Sequence, residues 1–246
     1  MFGSKRVLAV VPARGGSKGI KLKNLRTVGS VPLVALVGQV AEQCEFIDRA
    51  VVSTDHEEIA RVAVTAGLSA PFFRPESLSG DRIGDWDVLT HALQAMEALD
   101  GARYDIVVML QPTSPSRTSQ HVRDTVTRLV EGGFDAVWTV SETDSKGHPL
   151  KQLVVDAGGR LDWYDSAGAT IIARQQLKPV YHRNGIAYAI TRSCLLEQKT
   201  IKGARTGALV IDEPVINIDT EYDLELADFL VARRADIKHT NARVQP

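Results

Sequence analysis

The chain is poor in cysteine and has no long apolar run. Cys44 and Cys194 are its two cysteines, and neither has a histidine or a second cysteine nearby at metal-ligand spacing. This predicts two reduced packing residues and argues against a disulfide framework or a structural zinc site. No stretch approaches the ~20 apolar residues of a membrane span, and residues 1–6 lack the apolar core of a signal peptide. We therefore expect a cytoplasmic protein without membrane partners.

The chain also lacks an excess of charge of either sign. Its 29 lysine and arginine residues stand against 30 aspartate and glutamate residues, which gives a net charge of −1. A nucleic-acid-binding protein usually has a basic excess, so we expect no nucleic acid partner. Any anionic ligand must be held by a local cluster of cations. A length of 246 residues, 44% of them apolar, suits one large domain with a smaller appendage.

Short apolar runs alternate with helical patterns over the first 140 residues. Apolar runs of this kind suit the central strands of a parallel sheet, and they cover residues 6–12, 49–53, 105–110 and 135–140. The helical patterns cover residues 33–41, 56–66, 88–99 and 122–130. Asp55, three residues before Glu58, is a candidate cap for the second helix. The alternation predicts a three-layer α/β fold with a mostly parallel sheet.

This rhythm breaks after residue 140. Residues 141–183 are polar and irregular, and we interpret them as an inserted arm, with a β-hairpin that serves dimerisation. Strand patterns return at 185–191 and 208–212, and a closing helix is predicted at 221–234. The predicted organisation is a core domain of residues 1–140 and 184–236, an arm of residues 141–183, and a polar, frayed tail of residues 237–246.

A glycine-rich basic loop follows the first predicted strand. It holds four cations and no acid over ten residues, namely Arg14, Lys18, Lys21 and Lys23. Like charges at this density repel each other unless an anion neutralises them, and glycines let backbone N–H groups approach phosphate oxygens. The residue order matches neither the P-loop nor the dinucleotide fingerprint. The loop predicts a triphosphate site of another kind, with a solvated basic loop as the alternative.

The segment from Arg14 to Asn24 resembles the signature loop of the N-acylneuraminate cytidylyltransferases and, more distantly, that of the 3-deoxy-manno-octulosonate cytidylyltransferases. Further matches follow in that family's order: Val-Ser-Thr-Asp at 52–55, Phe-Arg-Pro-Glu-Ser-Leu at 73–78, Leu-Gln-Pro-Thr-Ser-Pro at 110–115 with Arg117, His-Pro-Leu-Lys at 148–151, Arg-Gln-Gln at 174–176, Arg-Asn-Gly at 183–185 and Ile-Asp-Thr-Glu at 218–221. The resemblance spans residues 6–234 and implies a Rossmann-like nucleotidyltransferase fold.

The resemblance implies a nucleotide site on the basic loop. Arg14 and Lys23 would bind the phosphates of CTP and stabilise the charge that develops as pyrophosphate leaves. The remaining nucleotide-binding candidates are Gly16, Ser17, Asn24 and Arg74. Gln111 follows a strand, where its amide can bond the base or the sugar. The resemblance assigns it to the sugar, and a turn-capping amide is the alternative.

The resemblance also implies an acceptor site and a metal. Lys151 and Arg174 would hold the acceptor's carboxylate, with surface charges as the alternative. Tyr188 would pack beside the acceptor, with a core tyrosine as the alternative. Asp219 and Asn217 would bind Mg²⁺ or Mn²⁺, although Asp219 also suits a helix N-cap.

Two positions depart from the family's pattern. Asn217 stands where a second aspartate is usual, which predicts weaker Mg²⁺ binding. Asp85 stands where a small hydroxyl residue is expected near the base, which weakens the assignment to cytosine.

The predicted function is transfer of CMP from CTP to the anomeric hydroxyl of a sialic-acid-type (nonulosonic) 2-keto sugar acid, carried out by a homodimer. Two alternatives stay open. One is another nucleotidyltransferase that acts on an octulosonate or legionaminic-like acid, with CTP or another NTP. The other is a homologue that binds nucleotide or sugar without turnover.

Overall fold

The computed structural model describes residues 1–242 and contains one large sheet and two small ones. In chain order the strands are β1 (Val7–Pro12), β2 (Thr27–Val28), β3 (Val31–Pro32), β4 (Arg49–Ser53), β5 (Ile106–Met109), β6 (Ala136–Glu142), β7 (Leu153–Val155), β8 (Leu161–Trp163), β9 (Tyr181–Thr191) and β10 (Thr206–Val210). The large sheet has the order β10-β6-β9-β5-β1-β4, while β2 pairs with β3 and β7 pairs with β8.

Six α-helices accompany the strands. They are α1 (Leu33–Glu42), α2 (Glu57–Thr65), α3 (Asp85–Asp100), α4 (Ser119–Glu131), α5 (Arg192–Leu196) and α6 (Glu221–Ala242). Short 3₁₀ helices occupy Lys23–Leu25, Glu76–Leu78, Pro149–Lys151, Ser166–Thr170 and Arg174–Gln176. Among residues 1–242, no helix is both long and apolar enough to cross a membrane.

The large sheet is mostly parallel. β1 runs parallel to both β4 and β5, and β10 runs parallel to β6. β9 lies between β5 and β6 and is antiparallel to both. The predicted α/β fold with a mostly parallel sheet is therefore confirmed, and the one reversed strand is the first to follow the irregular segment.

Both faces of the large sheet are buried, which accounts for the continuous apolar runs. Val7, Ala9 and Val11 of β1 point into one core cluster, while Leu8 and Val10 point into the other. Side chains alternate across a strand, so a strand with helices on both faces must be apolar at every position. The first cluster includes residues of α1, α2 and α4, and the second includes residues of α3 and α5. This gives the predicted three layers.

Several predicted boundaries were wrong. The strand expected at 185–191 begins at Tyr181, because its first residues pair with the end of β6. The helix expected to end at residue 234 continues to Ala242, so part of the predicted tail is helical, and residues 243–246 lie outside the described part. Asp55 does not cap α2, since its Oδ1 accepts a hydrogen bond from the Gly15 N–H at 2.7 Å.

The segment between β6 and β9 contains the predicted hairpin, formed by β7 and β8. His148 anchors its base: its Nδ1 accepts from the Leu150 N–H at 3.1 Å, and its Nε2 lies 3.1 Å from the Lys178 carbonyl oxygen. Most of the hairpin's apolar side chains are exposed. The division into a core domain and an arm stays a prediction.

Candidate active site

A cavity of about 400 Å³ opens where β1 and β5 end and β9 begins. Ligands of open α/β sheets bind at this edge, where the carboxyl ends of the parallel strands meet. The cavity brings together every residue predicted to bind the nucleotide, the sugar-side Gln111 and both metal candidates. These lining residues are Arg14, Gly16, Ser17, Lys23, Asn24, Arg74, Gln111, Asn217 and Asp219.

The basic loop after β1 is pinned to the fold at several points. Gly15 donates its N–H to Asp55, and the amide nitrogen of Asn24 donates to the Arg14 carbonyl at 3.0 Å. Gly19 lies against the segment before α6, and a Cβ added there would come within 2.6 Å of the Asp219 carbonyl oxygen. A side chain at position 19 would therefore push the loop away from Asp219. The loop's shape is held by protein contacts before any ligand binds.

Asp81 neutralises part of the loop's charge. Its carboxylate contacts Arg14 Nη1 at 3.0 Å and Lys18 Nζ at 2.7 Å. The hydrogen bond from Lys18, together with the nearby Arg14, lowers the pKa of Asp81. An aspartate distant in sequence therefore supplies part of the anionic charge that this density of cations requires, and the triphosphate site stays a prediction. Asp81 lines the cavity beside Arg14.

Lys23 links the basic loop to Asp219. Its Nζ donates to Asp219 Oδ1 at 2.8 Å and to the Ile218 carbonyl oxygen at 2.9 Å. Asn217 donates from Nδ2 to the other carboxylate oxygen of Asp219 at 3.2 Å. The side chain of Asp219 is still 67% exposed, so it can accept further ligands.

Asp219 is not the N-cap of α6. Thr220 takes that position: its Oγ1 accepts from the Asp223 N–H at 3.2 Å, and Asp223 Oδ2 accepts from the Thr220 N–H at 2.7 Å. This reciprocal pair is a capping box and satisfies two backbone donors at the helix start. The N-cap alternative for Asp219 was therefore wrong, and its carboxylate faces the cavity.

Arg74 is a buried cation at the end of β4. Its Nε donates to Ser53 Oγ at 3.1 Å, its Nη2 donates to the Ser53 carbonyl, and its backbone N–H donates to the Thr54 carbonyl at 2.7 Å. Burial lowers the pKa of Arg74 to about 10, although the nearby Asp55 acts in the opposite direction. These bonds fix one edge of the guanidinium and leave the cavity side for a ligand.

Gln111 stands on a turn that another residue holds in place. The buried guanidinium of Arg117 donates to the carbonyl oxygens of Gln111, Gly185 and Ile186. Gly185 has φ +74°, and a Cβ there would lie 2.8 Å from Gln111 Oε1. Within residues 1–242 the Gln111 amide makes no hydrogen bond with another side chain or the backbone, so it is available to a ligand and does not cap the turn.

Three predicted residues do not line this chain's cavity. Lys151 and Arg174 are exposed on the segment between β6 and β9. Tyr188 is 1% exposed, and its hydroxyl accepts from the Gly185 N–H at 2.8 Å. Tyr188 is thus a core residue beneath the turn, as the alternative interpretation held, and not a wall of the cavity.

The chain matches the family model described as cytidylyltransferase over residues 8–237. It belongs to the cytidylyltransferase family.

Curated relatives agree with this assignment. The chain is 33% identical over 228 residues to a CMP-N,N'-diacetyllegionaminic acid synthase of Legionella pneumophila, covering 92% of this chain and 96% of that protein. It is 28% identical over 225 residues to an N-acylneuraminate cytidylyltransferase of Escherichia coli, covering 90% of this chain and 51% of that protein, so it spans about half of that relative.

Among solved structures, a CMP:2-keto-3-deoxy-manno-octonic acid synthetase complexed with CTP is similar with a TM-score of 0.65 and 17% identity. The match covers 93% of this chain and 99% of that one. At this identity the likeness supports the nucleotidyltransferase fold alone.

Three charged side chains that line the cavity of this cytidylyltransferase, Asp81, Asp85 and Arg183, were given no binding or catalytic role by the sequence patterns. Asp81 lies between Gly80 and Gly84, and nothing in the local sequence pattern marks it. Asp85 stands out in the sequence only as a departure from the family's pattern. Arg183 was part of a matched motif without a role, and its Nη2 lies 3.4 Å from Asp85 Oδ2. Only the reversal of β9 could have pointed to Arg183, because it brings the start of that strand to the cavity.

Proposed function

We propose that this cytidylyltransferase transfers CMP from CTP to the anomeric hydroxyl of a sialic-acid-type (nonulosonic) 2-keto sugar acid and releases pyrophosphate. The observation that carries the proposal is the single cavity that holds the cationic loop, Asp219 and the available amide of Gln111. The names of the relatives point to the same class of acid, since they refer to legionaminic and N-acylneuraminic acids. Which nonulosonic acid is the substrate is left to the experiment.

The reaction needs positive charge on the side of the leaving group. The acceptor's C2 hydroxyl attacks the α-phosphorus of CTP, a new P–O bond forms, and the bond to the β-phosphate oxygen breaks. The hydroxyl proton passes to water, and pyrophosphate carries away the negative charge. Arg14 and Lys23 would bind the phosphates, with the loop amides of Gly16 and Ser17, and stabilise that charge. Asn24 and Arg74 would help to hold the nucleotide.

The donor set near Lys23 suits a hard divalent cation. Mg²⁺ binds through one or two protein oxygens, substrate phosphates and several waters. Asp219, with its exposed carboxylate, and Asn217, through its amide oxygen, would supply the protein oxygens. Among residues 1–242 there is no cluster of three acidic, histidine or cysteine side chains that would form a complete protein cage. When bound, Mg²⁺ or Mn²⁺ would neutralise triphosphate charge and polarise the α-phosphate.

We also propose a cytoplasmic homodimer built through the segment between β6 and β9. Large apolar side chains of this segment are exposed, namely Val155, Leu161, Tyr164 and Ile172. A concentration of exposed apolar area on a protruding segment is expected to be buried against another surface. In a two-fold dimer each segment would contact its partner equivalently, which would let Lys151 and Arg174 reach the neighbouring cavity.

A pyrophosphate-release screen tests the function directly. Purified protein is assayed with each of the four NTPs and with a panel of nonulosonic acids, octulosonate and no acceptor, in the presence of Mg²⁺. We expect release only with CTP and a nonulosonic acid. Preference for octulosonate or for another NTP would support the enzyme alternative. No release with any combination, alongside calorimetric binding of CTP, would support a binding protein without turnover.

A further inference from the structure

The cavity contains one cation whose role the proposed function leaves open. Among the described residues, Arg14, Lys23, Arg74 and Arg183 are the cationic side chains that line it. Arg14 pairs with Asp81, Lys23 is bonded to Asp219, and Arg74 is bonded to Ser53. Within residues 1–242 the one polar contact of the Arg183 side chain is with Asp85 at 3.4 Å, and the side chain is 44% exposed.

Packing holds the plane of Arg183 in place. The guanidinium carbon lies 5.2 Å from the ring centre of Trp138 and 5.4 Å from that of Tyr188. A guanidinium held by aromatic rings keeps its in-plane N–H groups available for hydrogen bonds. Arg183 is therefore oriented by two rings that do not line the cavity, while Arg183 itself does.

The sheet order places Arg183 away from the phosphate loop. The loop follows β1, Gln111 follows β5, and Arg183 lies at the start of β9, in three neighbouring strands. Neighbouring strands are ~4.8 Å apart, so Arg183 is about 10 Å across the sheet from the strand that leads into the phosphate loop. Arg117 donates to the carbonyl oxygens of Gln111 and of Gly185, which lies in β9 two residues after Arg183. Gln111 and Arg183 thus form one end of the cavity, with the phosphate cations at the other.

We infer that Arg183 binds the carboxylate of the acceptor sugar acid and that Asp85 holds this guanidinium until the acceptor arrives. The inference rests on the proposed function, since the acceptor is a 2-keto acid. Two parallel N–H···O bonds to a carboxylate are stronger and more directional than the single long contact to Asp85. Lys151 and Arg174, the cations expected to hold this carboxylate, lie outside the cavity of their own chain. Arg183 offers a cation for this carboxylate from within the same chain.

The test compares the acceptor acid with its C1 primary amide, which keeps the shape and removes the charge. Wild-type protein is expected to prefer the acid by at least tenfold in kcat/KM. Arg183→Gln should raise KM for the acid at least tenfold, leave KM for CTP within twofold and abolish the preference for the acid. Arg183→Lys keeps the positive charge but loses the paired N–H groups of the guanidinium. Its KM for the acid and its preference for the acid should therefore lie between those of the wild type and of Arg183→Gln. Arg61→Gln, an exposed arginine on α2 paired with Glu58, serves as the control.

Three results would overturn the inference. A rise in KM for CTP with an unchanged KM for the acid would place Arg183 at the nucleotide. Retention of the preference for the acid in Arg183→Gln, with its loss in Lys151→Gln or Arg174→Gln, would assign the carboxylate to cations of the β6–β9 segment. If wild-type protein does not turn over any acid, the proposed function fails and this inference with it. Circular dichroism and melting curves check that the variants are folded.

Discussion

At the scale of single residues, Asp81 is the side chain that would compete with a triphosphate for the basic loop. Its carboxylate contacts both Arg14 and Lys18, on the loop proposed to bind the phosphates of CTP. The pairs are partly exposed, so each is weak and sensitive to salt. Lys18 and Arg14 lower the pKa of Asp81, and an aspartate is ionised at neutral pH even at its usual pKa. It therefore competes with CTP over the whole physiological pH range.

Replacing Asp81 should strengthen nucleotide binding. Asp81→Asn removes the competing charge and keeps the size of the side chain, so we expect KM for CTP to fall severalfold. The gain should shrink as ionic strength rises, because salt screens both the pair and the triphosphate. Initial rates at several CTP and salt concentrations measure this. Glu58→Gln, which breaks an exposed pair with Arg61, is the control. A higher KM for CTP in Asp81→Asn would mean that Asp81 supports the bound state.

Substitutions of Arg14 and Lys23 should differ in their effects on stability, although both residues are proposed to serve the reaction. Arg14→Ala and Lys23→Ala are each expected to lower kcat/KM by about a hundredfold or more, roughly 3 kcal/mol of transition-state stabilisation. Arg14→Ala should leave the melting temperature nearly unchanged, whereas Lys23→Ala should lower it, because Lys23 bonds Ile218 and Asp219. Kinetics and thermal melts give both values. A variant with near-normal kcat/KM would remove its residue from the catalytic set.

The amide of Asn217 offers a direct test of the metal site. Asn217 Nδ2 donates to Asp219, so Asn217→Asp would replace an attraction by repulsion between two carboxylates. A divalent cation relieves that repulsion, and we expect the half-saturating Mg²⁺ concentration to fall. Magnesium titrations of the initial rate measure it, and thermal melts with and without Mg²⁺ should show greater stabilisation by Mg²⁺ in the variant. An unchanged titration would place Asn217 away from the metal.

At the scale of elements, the irregular stretch of β9 around Gly185 packs against Gln111, in the part of the cavity proposed to bind the acceptor. Gly185 has φ +74°, and a Cβ there would meet Ser114 Oγ at 2.5 Å and Gln111 Oε1 at 2.8 Å. The Gly185 carbonyl oxygen also accepts a hydrogen bond from Arg117, and the Gly185 N–H donates to the Tyr188 hydroxyl. A change at this glycine therefore reaches Gln111 through direct contact.

Gly185→Ala should cost both stability and activity. A positive φ costs an alanine about 1–2 kcal/mol, and the forced contacts add roughly 1–3 kcal/mol. Gly101→Ala is the matched control, because Gly101 has φ +60° and nothing within 4 Å of an added Cβ. Gly101→Ala should lose only the stability that the positive φ costs an alanine, and it should keep full activity. Denaturant unfolding and KM for the acceptor separate the two effects. Equal losses in both variants would show that the contacts with Gln111 and Ser114 carry no cost.

At the scale of the whole molecule, the proposed homodimer depends on the segment between β6 and β9. The proposed dimer would bury its exposed apolar side chains, of which Ile172 is 93% exposed in the isolated chain. We expect a mass near twice the 26.8 kDa of one chain in sedimentation at micromolar concentration. A double substitution, Leu161→Glu with Ile172→Glu, should give a folded monomer. A monomeric wild-type protein would contradict the dimer.

Sharing of the cavity between subunits has its own test. Lys151 and Arg174 are exposed and do not line the cavity of their own chain. If they serve the partner's cavity, mixing Arg14→Ala with Arg174→Ala should restore activity, because each mixed dimer would contain one intact site. Each variant alone at the same total concentration is the control. Mixtures that never exceed these controls would restrict the site to one chain.

The local sequence pattern was enough to predict the fold class and the residues proposed to bind the phosphates. Continuous apolar runs require strands covered on both faces, and parallel strands end at one edge, so the residues that follow β1 and β5 had to converge. The sequence alone therefore predicts that Arg14, Lys23 and Gln111 lie close to one another.

Long-range pairing decided the rest. β9 begins at Tyr181 and runs antiparallel because it pairs with the end of β6, which brings Arg183 to the cavity and turns Tyr188 into the core. Asp81 reaches Arg14 and Lys18 across more than sixty residues of chain, and Thr220 takes the N-cap of α6, which leaves Asp219 facing the cavity. Each outcome depends on which of several possible partners lies nearby in space, and that is set only when the sheet is assembled.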